Sequence, residues 1–235
     1  MISVAVIGGG ASGMAFAVAL KQKRPDIEVT VFEKNPKVLK KILVTGNGRC
    51  NILNFDAVAE NYFEACEFVR PAVEKYAPKK TEAIFRDMGL LLMSEQEGRA
   101  YPISQTAASV VCVLSSAAER AGVKVFTDTP VKSIKKSQGR FVINNDKSFD
   151  FAVIACGGAA APKQGTDGSS FELFKALGIR VTELSPALTG ICVKDMPFSL
   201  KGLRQYCKCT VFSNEKNMLR PVRFNLTITD FRVYL

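Results

Sequence analysis

Residues 3–33, "SVAVIGGGASGMAFAVALKQKRPDIEVTVFE", decide the fold. Ser3 to Ile7 is an apolar, β-rich run of the kind found in buried parallel strands. Gly8-Gly9-Gly10-Ala11-Ser12-Gly13 fits G-x-G-x-x-G. A helical apolar pattern follows from about Met14 to Lys21. Pro25 and Asp26 mark a return turn, and Glu28 to Phe32 forms a second β-rich run ending at Glu33. The glycine pattern alone is weakly specific. Here it has a strand before it, a helix after it and an acid about 20 residues on, the context of a dinucleotide-binding βαβ unit. In that unit Gly8 makes the tight turn, Gly10 lets backbone approach a pyrophosphate, and Gly13 permits close helix–strand packing. Ala11 and Ser12 open the helix, whose N-terminal amides and dipole favour phosphate. Glu33 stands where a carboxylate meets adenosine ribose hydroxyls. A carboxylate there disfavours a 2′-phosphate, so NADP is not expected at this site.

The 235 residues suit one large domain, or one domain with part of a second. With 32 Lys and Arg against 22 Asp and Glu, the formal net charge is +10. The basic residues are spread along the chain without interleaved aromatics. A solvated basic surface is therefore favoured over nucleic-acid binding. There is no histidine, which removes Ser-His-Asp and Cys-His nucleophile systems and the commonest metal ligand. An enzyme of this composition would draw its chemistry from a cofactor. The seven cysteines form no C-x-x-C pair, and Cys112, Cys156 and Cys192 sit in apolar runs. This reads as a reduced, cytoplasmic protein. The glycine-cut N-terminus lacks a positive leader, and no run approaches the roughly 20 apolar residues that span a bilayer.

Beyond the βαβ unit, residues 55–90 read as mostly helical, with breaks at prolines. Leu90–Met93 and Ala100–Ile103 read as short strands around a turn, and Gln105–Ala121 as a long helix. Val123–Phe126, Val131–Ile134, Arg140–Ile143 and Asp150–Ala155 read as strands, and Ser170–Leu177 as a helix. The strand from Asp150 runs into a second glycine turn, Cys156-Gly157-Gly158. From Pro186 the pattern turns strand-like and suggests another module. The spacing Cys207-x-Cys209 is too short to assign to metal or redox chemistry.

The stretch "KKILVTGNGRCNIL", Lys40 to Leu53, raises three readings: a cysteine nucleophile loop, a phosphate clamp or a plain turn. The missing histidines remove the usual base for Cys50, although Arg49 could still favour a thiolate. Its position just after Glu33 places the loop beside the expected cofactor instead. Gly46 and Gly48 would allow close approach, with Thr45, Arg49 and Asn51 as polar groups. Cys50 is either a packed small residue or a redox partner, the first being favoured.

With these pieces placed, the chain resembles the BaiN-like family of FAD-binding oxidoreductases, also labelled the aminoacetone oxidase family. Four stretches carry the resemblance: "VIGGGASGMAFA", "KKILVTGNGRCNILN", "GRAYPISQTAASVVCVL" and the segment from Ile154 to Ile191. The resemblance implies an α/β fold of the two-dinucleotide-binding flavoprotein type. A Rossmann-like FAD-binding domain would cover residues 1–185, with a helical insertion at about 55–121 and a β-meander. Residues 186–235 would begin a β-rich substrate domain. Family chains run longer, so a truncated product or a divergent short form is expected. The implied cofactor is FAD, held by Gly8, Gly10, Ala11, Ser12, Gly13 and Glu33. Lys34 and Lys41 would add positive charge or simply be solvated. Val131 would open the strand that meets adenine. Ala155, Gly157 and Gly158 would lie along the cofactor, with Cys156 where such proteins usually carry threonine. Asp167 and Gly168 would approach the ribitol, or Asp167 would merely cap a helix. The implied reaction is two-electron hydride transfer on a small molecule, with NAD(P)H as a candidate donor. No catalytic acid or base stands out, Arg99 and Tyr101 being the polar candidates. A nucleotide-binding remnant without turnover and an FAD-dependent tRNA-modifying enzyme are the alternatives.

Overall fold

The structure is a computed structural model. It describes residues 1–184 together with Gly190–Cys192, Arg204–Cys209, Val222–Thr229 and Arg232–Tyr234. The chain divides into two compact units, Met1–Val181 and Thr182–Leu235. The boundary expected at residue 185 lies outside the described residues.

In the first unit the strands are β1 (Ser3–Ile7), β2 (Glu28–Phe32), β3 (Leu53–Asn54), β4 (Leu92–Ser94), β5 (Arg99–Pro102), β6 (Lys124–Phe126), β7 (Ile134–Ser137), β8 (Arg140–Ile143), β9 (Lys147–Phe149) and β10 (Phe151–Ile154). The helices are α1 (Ala11–Lys23), α2 (Cys66–Lys75), α3 (Pro78–Asp87), α4 (Ala107–Arg120) and α5 (Phe171–Ala176). A parallel sheet in the order β10-β1-β2-β6 forms the centre. β1 lies inside it, with Val4 facing Val29 on one side and Phe151 on the other. Alternation then sorts its side chains to the two faces of the sheet. Val4 and Val6 join Val29 and Val31 beneath Met14, Ala17 and Val18 of α1 and Val110, Leu114 and Ala117 of α4. Ala5 and Ile7 join Phe32 on the opposite face, under Ile134, Ile143, Phe149 and Leu173. Each fully buried Val, Leu or Ile contributes roughly 1.5–3 kcal/mol, and both faces are covered, as a parallel sheet requires.

That second cover is the antiparallel meander β7-β8-β9. The sequence reading placed a strand at Val131–Ile134, whereas β7 begins at Ile134. Asn144 explains the difference: its Oδ1 accepts from the backbone N–H groups of Lys132, at 2.8 Å, and Ser133, at 3.3 Å. Those amides are thereby satisfied without a strand partner. β9 is an added strand, reached through Asn144 and Asn145, whose φ angles of 51° and 58° are left-handed and turn the chain back on itself. A further sheet, β3-β5-β4, holds the Leu92–Pro102 hairpin.

The helical region has one correction. Pro78 does start a helix, after an extended Ala77, but Pro71 lies inside α2. It forfeits one backbone hydrogen bond in a turn bracketed by Arg70, which pairs with Glu60 at 2.9 Å and Glu67 at 3.1 Å.

The second unit contains β11 (Gly190–Cys192), β12 (Arg204–Cys209), β13 (Val222–Thr229) and β14 (Arg232–Tyr234), antiparallel in the order β11-β14-β13-β12. Among the described residues, no helix is long and apolar enough to cross a membrane.

Candidate functional site

The C-terminal ends of β1, β2 and β10 open into a cavity of about 670 Å³, the size of a small-molecule or cofactor site. Its floor is the glycine turn. The Gly8 N–H donates to the Phe32 carbonyl at 2.8 Å, and Gly8 has φ of +108° with a missing Cβ that would stand 2.6 Å from the Ala155 carbonyl oxygen. Only glycine fits there. Gly13 lies within α1, and a Cβ on it would stand 2.0 Å from the Gly8 carbonyl oxygen. It sets how closely α1 approaches β1. Gly10 differs from both: nothing lies within 4 Å of its Cβ position, which is open space at the cavity floor.

α1 begins just after Gly10, with no side-chain cap and no acid in its first turn. Its first amides therefore face the cavity without a built-in anion, the arrangement that suits a bound phosphate. Lys34, Lys37, Lys40, Lys41 and Lys132 line the same cavity. Among the described residues only Lys34 of these is ion-paired, to Asp167 at 2.9 Å. The Ser169 hydroxyl and then Lys34 hold the Asp167 carboxyl well below the usual carboxylate range. Glu33, at the end of β2, is 7% exposed and accepts from the Gly9 N–H at 2.7 Å.

The cavity gathers Gly8, Gly10, Ala11, Ser12, Glu33, Lys34, Lys41, Thr45, Val131, Ala155, Gly157 and Asp167. Gly13, Gly46, Gly48, Arg49, Cys50, Asn51, Gly158 and Gly168 stand outside its lining. Arg49 is turned to other work: Nη1 donates to Glu95 at 2.8 Å and Gln105 at 3.0 Å, and the guanidinium lies 4.0 Å from the Tyr101 ring centre. Asn51 Nδ2 donates to the Ala100 carbonyl at 3.1 Å. The loop is tied to itself through Thr45, whose hydroxyl donates to the Ile42 carbonyl at 2.7 Å. Sequence reasoning missed Asn35, Leu39 and Gln164, all of which line the cavity. Asn35 sits two residues beyond Glu33, where its local bonding potential was the available signal.

Both cysteines near the site are poor thiolates. Burial raises the Cys50 thiol above its ordinary pKa. Burial first, and the Glu33 charge second, push Cys156 up to about 11. Cys112 is exposed. At pH 8 iodoacetamide should therefore label Cys112 well before Cys50 or Cys156, as read by peptide mass mapping. Equal rates at Cys156 and Cys112 would refute the assignment, since the thiolate is the reacting species.

The family model described as the HI0933-like protein Rossmann domain matches residues 2–211. The chain belongs to that family. Its parallel sheet between helices and a meander is the α/β Rossmann-like fold of FAD-binding oxidoreductases. This HI0933-like chain is 37% identical over 203 residues to the 3-dehydro-bile acid delta(4,6)-reductase of Clostridium scindens, covering 85% of the chain and 49% of that protein. It is 26% identical over 184 residues to a ribosomal RNA dihydrouridine synthase of Haemophilus influenzae, covering 75% of the chain and 45% of that protein. Among solved structures, Thermovibrio ammonificans THI4 aligns with a TM-score of 0.47 at 17% identity, covering 76% of this chain and 64% of that one. The HI0933-like chain spans about half the length of the curated relatives it matches.

Proposed function

We propose that the chain holds FAD in this cavity and belongs to a two-electron oxidoreductase of the BaiN-like kind. The observation that carries the reading is the open face of Gly10 beneath an uncapped helix start, in one cavity with the buried Glu33 carboxylate. A pyrophosphate fits the first, because backbone amides can approach it without a side chain between. A ribose fits the second, because a carboxylate accepts from hydroxyls.

FAD, when bound, supplies hydride chemistry at its ring system. The chain's own residues bind and orient. Ala11 and Ser12 offer amides to phosphate, Glu33 accepts from ribose, and Lys40, Lys41 and Lys132 offset phosphate charge. Ala155 and Gly157 present backbone along the cavity wall. Gly46, Gly48, Arg49, Cys50, Asn51, Gly158 and Gly168 complete the reading as a neighbouring shell that shapes the loop ends. The 37% identity to the bile-acid reductase supports a reductase acting on a small hydrophobic molecule; NAD(P)H as donor is part of the proposal and has no separate support in that likeness.

Purified protein should be yellow, with absorbance near roughly 450 nm, and should release FAD on denaturation. A folded, colourless protein that added FAD cannot reconstitute would sink the reading.

A second reading has its own support. Two relatives are ribosomal RNA dihydrouridine synthases, and the net charge is +10. It predicts an RNA complex whose affinity falls steeply with salt; affinity unchanged between low and high salt would exclude it.

A further inference from the structure

Glu33 is held by three donors from two residues. Asn35 donates twice to Oε1, from its backbone N–H at 2.8 Å and from Nδ2 at 2.6 Å. The Gly9 N–H donates to Oε2 at 2.7 Å. An ionised carboxylate offers about four acceptor sites, two on each oxygen. Oε1 is therefore saturated, and one site remains on Oε2. Both Glu33 and Asn35 line the cavity.

Gly165 makes room for this arrangement. It has φ of +98°, and a Cβ there would stand 2.5 Å from Asn35 Nδ2. The Ala161–Thr166 hairpin, closed by an antiparallel bridge, thus abuts the Asn35 carboxamide. The Asn35 backbone is anchored separately, its carbonyl accepting from the Asp128 N–H at 3.1 Å. A change of side chain should therefore leave the main chain in place.

We propose that Asn35 is a positioning residue for nucleotide recognition: by saturating Oε1 of Glu33, it leaves the single open acceptor site on Oε2 for one hydroxyl of an unphosphorylated ribose. The proposal rests on reading the cavity as a dinucleotide site. A hydroxyl donates to that site; a 2′-phosphate brings only acceptors and negative charge against it. Without the Asn35 carboxamide, Oε1 regains an acceptor site, the carboxylate loses a fixed orientation, and either ribose hydroxyl can be accepted less well.

The test is calorimetric titration of the full 235-residue chain with ADP, 2′-deoxy-ADP, 3′-deoxy-ADP and ADP bearing a 2′-phosphate. In the wild type, removing one hydroxyl should weaken binding about tenfold, the effect of one charge-assisted hydrogen bond. Removing the other should change it less than about twofold by the same reckoning. The 2′-phosphate should weaken binding whichever hydroxyl Glu33 accepts, because its negative charge stands against the carboxylate. Asn35→Ala should weaken ADP about tenfold and level the two deoxy analogues. The proposal is overturned if Asn35→Ala keeps the wild-type preference between those analogues, or if the wild type has none. If Asn35→Ala gives no cooperative melt, Asn35→Ser is titrated in its place. Failure of both to fold assigns Asn35 to the fold and overturns the proposal. A wild-type chain that binds none of the four nucleotides sinks the cavity reading beneath it.

Discussion

Gly13→Val should abolish nucleotide binding and lower stability by about 3 kcal/mol or more, beyond the usual cost of overpacking. The geometry leaves no soft escape. A Cβ at residue 13 would stand 2.0 Å from the Gly8 carbonyl oxygen and 3.2 Å from Val6 Cγ1. The first neighbour is backbone of the turn that forms the cavity floor, so α1 must move away from β1 or the turn must break. Either displaces the first amides of α1. Gly10→Ala is the informative companion. Its Cβ meets nothing within 4 Å, so the chain should melt close to wild type yet bind ADP far less well, the methyl group standing where phosphate approaches. Urea melts and ADP titrations of both variants check this. A Gly13→Val chain with a wild-type melting midpoint would overturn the packing argument.

Glu33→Ala should cost about 3 kcal/mol of stability and roughly a hundredfold in ADP affinity, because charge-assisted hydrogen bonds contribute about 1.5–3 kcal/mol each and stranded buried donors are expensive. Three donors lose their acceptor at once: the Gly9 N–H and both Asn35 groups. Gly9 and Leu39 are linked in turn, the Leu39 N–H donating to the Gly9 carbonyl at 2.8 Å. Loosening Gly9 therefore reaches the lysine-bearing loop as well. Stability within about 0.5 kcal/mol of wild type would show that water replaces the carboxylate without loss.

The core of this fold was legible because it is local. β1, α1 and β2 announce themselves through period, glycine spacing and a terminal acid, and β2 was read to its last residue. What escaped depends on side chains acting at a distance. Nothing near Val131 shows that Asn144 will take the Lys132 and Ser133 amides, so by sequence the β-rich run has the pattern of a strand. Pro71 lies inside α2 although proline ordinarily breaks a helix, and the neighbouring Arg70 reaches back to Glu60, a contact outside the helix window. At the site, the glycine turn and Glu33 were read from spacing alone. Asn35 carries no such signal, because asparagine after a strand usually marks only a turn. Arg49 shows the converse problem: its residue type suggests a ligand contact, while its partners, Glu95, Gln105 and Tyr101, come from a hairpin some 50 residues on.

β1 has a consequence for how the chain comes into being. It is an interior strand, and one of its two neighbours, β10, starts at Phe151. The Ser3 amide, paired with the Asp150 carboxylate at 2.8 Å, closes a separation of 147 residues. Closures of such length form late, since their entropy must be met before the contacts that reward it exist. On a ribosome adding about 5–20 residues per second, β1 waits roughly 7–30 s for its partner. During that interval the α1–β2 segment has its glycine turn but not the Ala155 wall against it. On the proposed reading, a nucleotide would meet the complete cavity only in the finished domain, after Ala155 and Gly157 have joined the glycine turn.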